Sequence, residues 1–565
     1  MRSSKKYLYL LPLLAICLVF YYFLAGKDFD HSVLELQRTQ SSDKTEQQSG
    51  ALTNSDATET EVNLAPVSLN LALPNLDSKL TPFEGHTWGF SWGDINENAK
   101  PDLYLNHHRR RNTRDRFPTS HLIFDFESLT QYNHIPLLGN DQHSALIFDL
   151  DGDGLVEIFE TIGGRSGNAD PQNPATWNKL HRIDDLGINP EKAAESLGLA
   201  DKGARGRAVI PLLINDRLSV ALMNAPSKDE QKKSALYSFN GDIYEQIELF
   251  TDCQRSSQQS DTRSRRQLCN EFFIGNYKDL AWGYLNDDLF PDLVLYNGNN
   301  NAETKVLISA GPGEFKEFKL PTNKKARIIR IGDFDNDTRD EIMVASGMSI
   351  RAISLTNELE FKEVFRHNYN ISNFKRPKIE DFAAVDLNAD GRLDIISFWS
   401  SRSGSFATTL SKLDKSKVQT KTVDIPDNGC RARNFAIADY NLDGQLDILF
   451  GTGKDQPFPV CKGGYSLWTT QVQNNWIQID LKDQNGFRGL GAKITAKTKK
   501  KQISKTQDAG IRGEVQDFDR LYFGLGTETS FSVKVEWPDG KITQFETDEV
   551  NRIIEIHHPD IQAEL

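Results

Sequence analysis

Six short acidic segments carry oxygen-bearing side chains on alternate residues, a spacing suited to holding a hard cation. The cleanest, DLDGDGLVE, places Asp149, Asp151, Asp153 and Glu157 at positions one, three, five and nine. DLNADGRLD repeats the pattern with Asp386, Asn388, Asp390 and Asp394, and DYNLDGQLD with Asp439, Asn441, Asp443 and Asp447. DFDNDTRDE supplies Asp333, Asp335, Asp337 and Glu341, while DINENAKPD supplies Asp94, Asn96, Asn98 and Asp102. The sixth, YLNDDLFPD, has Tyr284 at position one and keeps Asn286, Asp288 and Asp292. Side chains on alternate residues of a tight turn converge on one point, where calcium takes roughly six to eight oxygens. The backbone carbonyl at position seven would complete the shell. The recurrence makes calcium the expected ligand at several loops.

The elements that position these loops are strands. Glu160 falls at position twelve of the second loop, as in an EF-hand, but Val344, Ser397 and Phe450 occupy that position elsewhere. Apolar stretches such as SALIFDL, ARIIRIGDF and DFAAVDL precede the loops, and IFE, IMVA, IISF and ILFG follow them. These short runs rich in Ile, Val and Phe lack a 3.6-residue period and read as strands. Each loop therefore joins two strands of a hairpin.

Position one falls at residues 94, 149, 284, 333, 386 and 439, so four of the steps lie between 49 and 55 residues. A period of roughly 50 residues indicates propeller blades or a related array. The long gap after the second loop has room for another blade, expected at about 203–224. There GARGRAVIPLLINDRLSVALMN keeps the strands but only Asn215 and Asp216 of a loop. No metal is expected in that blade. Six loops and one degenerate repeat predict an all-β chain with a seven-bladed β-propeller.

The blades resemble FG-GAP (VCBS) repeats, the calcium-loop blades also found in integrin alpha subunits. The C-terminal segment resembles the ASPIC/UnbV domain through NNWIQIDL (Asn474–Leu481), FRGLGAKI (Phe487–Ile494), LYFGLG (Leu521–Gly526) and VEWPDG (Val535–Gly540). The pairing is similar to the cartilage acidic protein 1-like family, with HTWGFSWGD (His86–Asp94) and GRAVIPLLIND as further family-like stretches over roughly residues 83–558. The resemblance implies a propeller over residues 81–470 and a small β-sandwich-like domain over 471–560. Glycine at loop position six survives only as Gly154, Gly391 and Gly444; Ala99, Leu289 and Thr338 replace it elsewhere. A Cβ disfavours that turn, so weaker or empty sites are expected at those three loops.

The net charge of −13 is largely a property of the loops, since eighteen acidic side chains occupy ligand positions. Six divalent cations would nearly neutralise it, so the acidity does not call for a basic partner. Residues 1–26 place Arg2, Lys5 and Lys6 before an apolar run from Tyr7 to Ala25. They read as a signal anchor or a signal peptide, with the bulk of the chain extracytoplasmic, or secreted if cleaved. Residues 27–80 read as a flexible polar stalk; within it VNLAPVSLNLAL (Val62–Leu73) alternates like a strand that either completes a terminal blade or stays unpaired. Exported cysteines favour disulfides, with Cys253–Cys269 and Cys430–Cys461 the favoured pairs of three possible pairings.

No catalytic residue is assigned. GxSxG, HExxH and P-loop patterns are absent, and nothing points to nucleic acid. The arginine-rich run His107–Arg116, Thr262–Arg266 and Lys497–Lys505 could grip anions or lie on solvated loops. Asn189–Ala200 reads as a short helix and Trp537–Gly540 as a turn. A calcium-stabilised, membrane-anchored module binding a glycan or a protein is therefore expected. The rivals are a polysaccharide-acting, lyase-like enzyme using His86, His143, Arg433 and the His107–Arg111 run, and an envelope assembly factor.

Overall fold

The computed structural model describes residues 62–66, 87–107, 120–124, 131–135, 141–163, 169–182, 190–225, 233–252, 269–272, 274–296, 303–321, 326–412, 418–425, 430–453 and 464–562. All lie in the unit Glu59–Leu565. The chain is all-β, built from nine sheets with two short α-helices, Pro190–Ser196 and Pro559–Gln562, among the described residues. The stretch 1–26, read as a signal anchor or a signal peptide, lies outside the described residues, and among those described no helix is long and apolar enough to cross a membrane.

Seven sheets follow one another along the chain, each with strands that meander antiparallel from an opening strand; in the fourth, Leu249–Thr251 adds parallel to Glu314–Lys319 at the far edge. The first contains Thr87–Gly93, Asp102–His107, Ser120–Phe124 and Gln131–Ile135. The second contains Gln142–Phe148, Glu157–Ile162 and Lys179–Arg182. The third begins with Gly206–Ile214 and Arg217–Asn224, the fourth with Asp279–Gly283 and Asp292–Tyr296. The fifth begins with Ile328–Gly332 and Glu341–Ser346, and the sixth with Lys378–Val385 and Asp394–Ser400. The seventh contains Ala432–Ala438, Asp447–Thr452 and Gly464–Thr470, and its fourth strand comes from the other end of the chain. Leu64–Pro66, inside the segment read as a stalk, pairs antiparallel with Trp468–Thr470.

The opening strands touch one another in chain order, and that of the seventh sheet touches that of the first. Apolar side chains fill the spaces between neighbouring sheets. Val294 and Ile308 of the fourth meet Ile342 and Val344 of the fifth. Phe398 of the sixth meets Phe450 of the seventh at a ring separation of 4.8 Å, and Phe90 and Trp92 of the first meet Leu449 and Leu467 of the seventh. These strands are nearly continuous apolar runs because both of their faces are covered.

The last two sheets form the C-terminal region. One orders Leu521–Gly526, Asn475–Lys482 and Arg552–His557; the other orders Gln502–Thr506, Lys493–Lys497, Phe531–Glu536 and Ile542–Thr547. Their facing sides bury Ile477, Phe523, Val535 and Trp537. Trp537 opens the predicted turn and donates its indole N–H to Thr543 Oγ1 at 3.0 Å. Cys269 and Cys430 are each disulfide-bonded, while Cys253 and Cys461 lie outside the described residues.

Candidate metal centre

All six acidic loops close at one register. The residue before position one pairs with position nine across the hairpin, as Gly93 with Asp102, Phe148 with Glu157, Gly283 with Asp292, Gly332 with Glu341, Val385 with Asp394 and Ala438 with Asp447. In five loops the position-one carboxylate is clamped by amides of its own turn. Asp333 accepts from Asp337 and Thr338 at 3.0 Å each, Asp386 from Asp390 at 3.0 Å and Gly391 at 2.7 Å, and Asp439 from Asp443 at 3.0 Å and Gly444 at 2.8 Å. Asp94 and Asp149 do the same through Ala99 and Gly154, both at 2.9 Å. The position-nine carboxylate accepts from position two, with Glu341 2.8 Å from Phe334 N and Glu157 2.9 Å from Leu150 N. These bonds fix the side chains while leaving lone pairs over for the loop centre.

The loop backbone turns through left-handed residues at positions four and six. Gly154 (φ 90°), Gly391 (φ 82°) and Gly444 (φ 84°) do so freely, and Ala99 (φ 63°) and Thr338 (φ 78°) take the same conformation despite their Cβ atoms. Two of the substitutions expected to spoil the turn are thus absorbed as strain of about 1–2 kcal/mol each.

In two loops three carboxylates converge: ligand atoms of Asp149, Asp151 and Glu157, and of Asp333, Asp335 and Glu341, lie within 4.8 Å of one another. Glu341 Oε1, Asp447 Oδ1 and Asp151 Oδ1 are buried and accept no hydrogen bond. Burial, with repulsion from Asp151 and Asp149, pushes Glu157 up to about 8; burial with Asp335 nearby pushes Glu341 to about 8. Burial likewise raises Asp447 to about 8, Asp333 to about 7 and Asp439 to about 6. Buried carboxylates with unclaimed lone pairs are costly unless a cation compensates them. The oxygen-only donor sets fit a hard divalent ion.

The loop at 284–292 differs. Tyr284 replaces the position-one carboxylate and donates its hydroxyl to Gly491 O at 2.5 Å. Its backbone N–H donates to Asp340 of the neighbouring loop at 2.8 Å. Asp292 spends both oxygens on amides, those of Leu285 at 2.8 Å and Ser309 at 2.7 Å, and Asn286 binds Asp288 at 2.9 Å. No residue between 285 and 291 has a left-handed backbone. In the third sheet Asn215 (φ 54°) and Asp216 (φ 58°) make a two-residue turn closed by Ile214 and Arg217, too short to gather ligands.

The C-terminal region covers the loop face. Arg488 and Arg520 donate to the carbonyls of Asp94 (3.1 Å) and Ala99 (2.9 Å) in the first loop. Phe487 stacks on Phe148 beside the second, with ring centroids 6.2 Å apart. Asn336 reaches Gln502 O at 3.3 Å, and Asn474 reaches Asn388 O at 2.8 Å. At the last loop Gln478 Nε2 lies 2.5 Å from Asp439 Oδ2, and Tyr522 OH donates to Gly444 O at 3.0 Å. Cationic side chains also approach: Arg182 contacts Asp151 and stands 3.4 Å from Glu157, while Lys501 of the predicted basic run lies 3.9 Å from Asp390. Sequence reading did not single out Gln478, Arg182 or Arg488, since each acts from outside the repeated motif, nor Asp340, which stands at a non-ligand position of its own loop and serves the neighbouring one.

A hairpin of the same region, Ile511–Arg512 and Val515–Gln516, adds to the first sheet, with Val515 pairing parallel to Phe90. Gln516 bridges Ile147, accepting from its N–H at 2.8 Å and donating to its carbonyl at 3.0 Å. Arg512 binds Asp381 at 3.1 Å and Phe435 O at 2.7 Å. Glu514 pairs with Arg433 and stands 3.8 Å from His143. Two of the residues considered for catalysis, His143 and Arg433, therefore meet, but at a carboxylate of the C-terminal region. His86 lies outside the described residues, as do 108–116 and the run Thr262–Arg266.

Residues 482–563 match the ASPIC and UnbV family model. The chain is similar to cartilage acidic protein 1 of Mus musculus, 22% identical over 74% of this chain and 65% of the relative. The Xenopus tropicalis protein is 25% identical over 48% of this chain and 43% of the relative. The matches thus span less than two thirds of the length of these relatives. Among solved structures the chain is similar to BBS1N in complex with ARL6DN, with 9% identity, a TM-score of 0.41, and coverage of 69% of this chain and 94% of that one.

Proposed function

We propose that this chain is a calcium-stabilised, seven-bladed β-propeller whose C-terminal ASPIC/UnbV domain seals the metal face, and that it serves outside the cytoplasm as a binding module. The observation that carries it is the set of five matched loops with buried position-one and position-nine carboxylates, which in two of them converge with a third. Asp333, Asp335, Asp337 and Glu341 would hold one ion, Asp149, Asp151, Asp153 and Glu157 a second, and Asp386, Asn388, Asp390 and Asp394 a third. Asp439, Asn441, Asp443 and Asp447 would hold a fourth, and Asp94, Asn96, Asn98 and Asp102 a fifth. Bound calcium would neutralise the clustered carboxylates and brace each hairpin against the domain above it. The closed succession of touching opening strands supports the propeller. The N-terminal apolar run supports an anchor or export signal, and hence an environment with millimolar calcium.

A binding role for a glycan or protein is favoured over catalysis because Glu514 of the hairpin already engages His143 and Arg433. The test is thermal unfolding of the whole chain in detergent, with calcium and with EGTA, alongside elemental analysis. Calcium in the purified protein and a lower melting temperature in EGTA are expected. Metal-free protein with unchanged melting would overturn the reading.

A further inference from the structure

The opening strands run from one end of the ring of sheets to the loop face, so the ring has two unlike ends. At the loop end the C-terminal domain and its hairpin cover the centre, enclosing a smaller cavity of about 240 Å³. At the other end, where these strands begin, a cavity of about 460 Å³ remains, floored by Arg512, Gly513 and Glu514 at the hairpin tip. That volume is within the range of about 300–1,000 Å³ typical of small-ligand sites.

Six cationic side chains line it (Arg207, Lys278, Arg327, Arg330, Arg433 and Arg512) against four carboxylates. Four of the cations are matched. Arg327 binds Glu380 at 2.8 Å, Arg330 binds Asp381 at 2.6 Å, Arg512 shares that aspartate, and Arg433 pairs with Glu514. Arg207 and Lys278 are the surplus. Arg207 donates Nη1 to the carbonyl of Gly206 at 2.7 Å, and among the described residues neither it nor Lys278 forms an ion pair with an acidic side chain. Burial pushes Arg207 down to about 10 even with Asp141 attracting it, as expected of an undercompensated cation. The two lie at the starts of the opening strands of the third and fourth sheets, so the excess charge is concentrated on one side of the mouth.

We infer that this mouth binds a polyhydroxy carboxylate, a uronic-acid unit of an acidic saccharide, with its carboxylate on Arg207 and Lys278. An arginine fork matches a carboxylate. The adjoining carboxylates Asp279, which already accepts from Tyr296 Oη at 2.6 Å, and Glu380, which accepts from Ser400 Oγ at 2.7 Å, keep only single lone pairs for hydroxyl donors and repel a second anion, which separates a sugar acid from a compact inorganic anion. The inference deepens the binding-module reading by naming its ligand class and rests on it.

The experiment is calorimetric titration of the whole chain, in calcium, with trigalacturonate, galactotriose or sodium sulfate. Saturable binding of trigalacturonate that weakens at least tenfold in both Arg207→Gln and Lys278→Glu is expected, with galactotriose silent. Lys278 is partly exposed, so its variant keeps the test valid if Arg207→Gln fails to fold. No binding, equal binding by the variants, or equal binding of galactotriose would overturn the inference. Sulfate binding as tightly as the sugar acid would overturn the saccharide assignment. The EGTA melting shift, recorded on the same samples, distinguishes the two failures: if it persists without ligand binding, only this inference falls.

Discussion

The loops at 333–341 and 284–292 sit in adjacent sheets, close at the same register and differ in what they enclose. The first brings Asp333, Asp335 and Glu341 together and leaves Glu341 Oε1 buried without a hydrogen bond. The second satisfies itself: Tyr284 binds Gly491, and both oxygens of Asp292 are taken by amides. The difference teaches that the strand frame makes the hairpin, whereas the position-one carboxylate and the left-handed residues make the cage. Once those are gone, the hydrogen bonds that would have oriented ligands consume them.

The largest expected effect comes from removing the ion from all the cages together. A ligand present well above its Kd adds about 2 kcal/mol per site, so EGTA should lower the melting temperature by on the order of 10 °C. Elemental analysis should give five calcium ions per chain, and a count of six would break the contrast between the two loops.

Protonation should then reverse the sign of the pH dependence. In EGTA, Glu157, Glu341 and Asp447 titrate near 8 when folded, above the ordinary carboxylate range they regain when unfolded. The folded state therefore holds protons that the unfolded state has released. Stability is full below about pH 4 on account of these groups and falls as pH rises through about 8. With calcium present, deprotonation is what binding requires, and stability should rise over the same window. Melting curves from pH 5 to 8.5 with and without calcium check this. Parallel trends would remove the carboxylate cage as the cause.

A single-site comparison sharpens it further. Glu341→Gln should cost about 2 kcal/mol in calcium and little or nothing in EGTA, where it removes a buried charge. Asp292→Asn should respond identically in the two buffers, because that carboxylate serves backbone amides rather than an ion. A calcium-specific loss at Asp292 would mean that the 284–292 loop also loads.

The strand frame was legible because the strand that follows an acidic loop is buried on both faces, which writes apolar runs at a fixed distance from the motif. The candidate ligands were legible because alternate spacing needs no tertiary knowledge. The closing strand Leu64–Pro66 was readable only as an alternative: three residues of alternation cannot announce their partner, Trp468–Thr470, four hundred residues away. The covering of the loops by Arg488, Gln478 and Tyr522 was not legible, since isolated polar residues carry no periodicity and their partners are mostly backbone carbonyls. The hairpin at 511–516 was missed for a related reason, its two strands being two residues long. At Ala99 and Thr338 the rest of the loop holds a non-glycine residue in the left-handed region, so glycine loss strains the turn without abolishing it.

That last point gives the smallest effect and the most selective one. Thr338 has a φ of 78°, a conformation that costs a β-branched residue about 1–2 kcal/mol, whereas Leu289 at the equivalent position of the other loop has no positive φ. Thr338→Gly should therefore raise stability by up to about 1 kcal/mol, since relief of strain outweighs the freedom glycine adds to the unfolded chain. Leu289→Gly should lower it by about 1 kcal/mol or more, because there the entropy cost adds to the loss of a half-buried side chain. Chemical denaturation of the two variants in calcium measures the pair. Opposite signs would establish that the two loops have different backbones in solution, and like signs would mean that the turn is shared and the missing carboxylate alone distinguishes them.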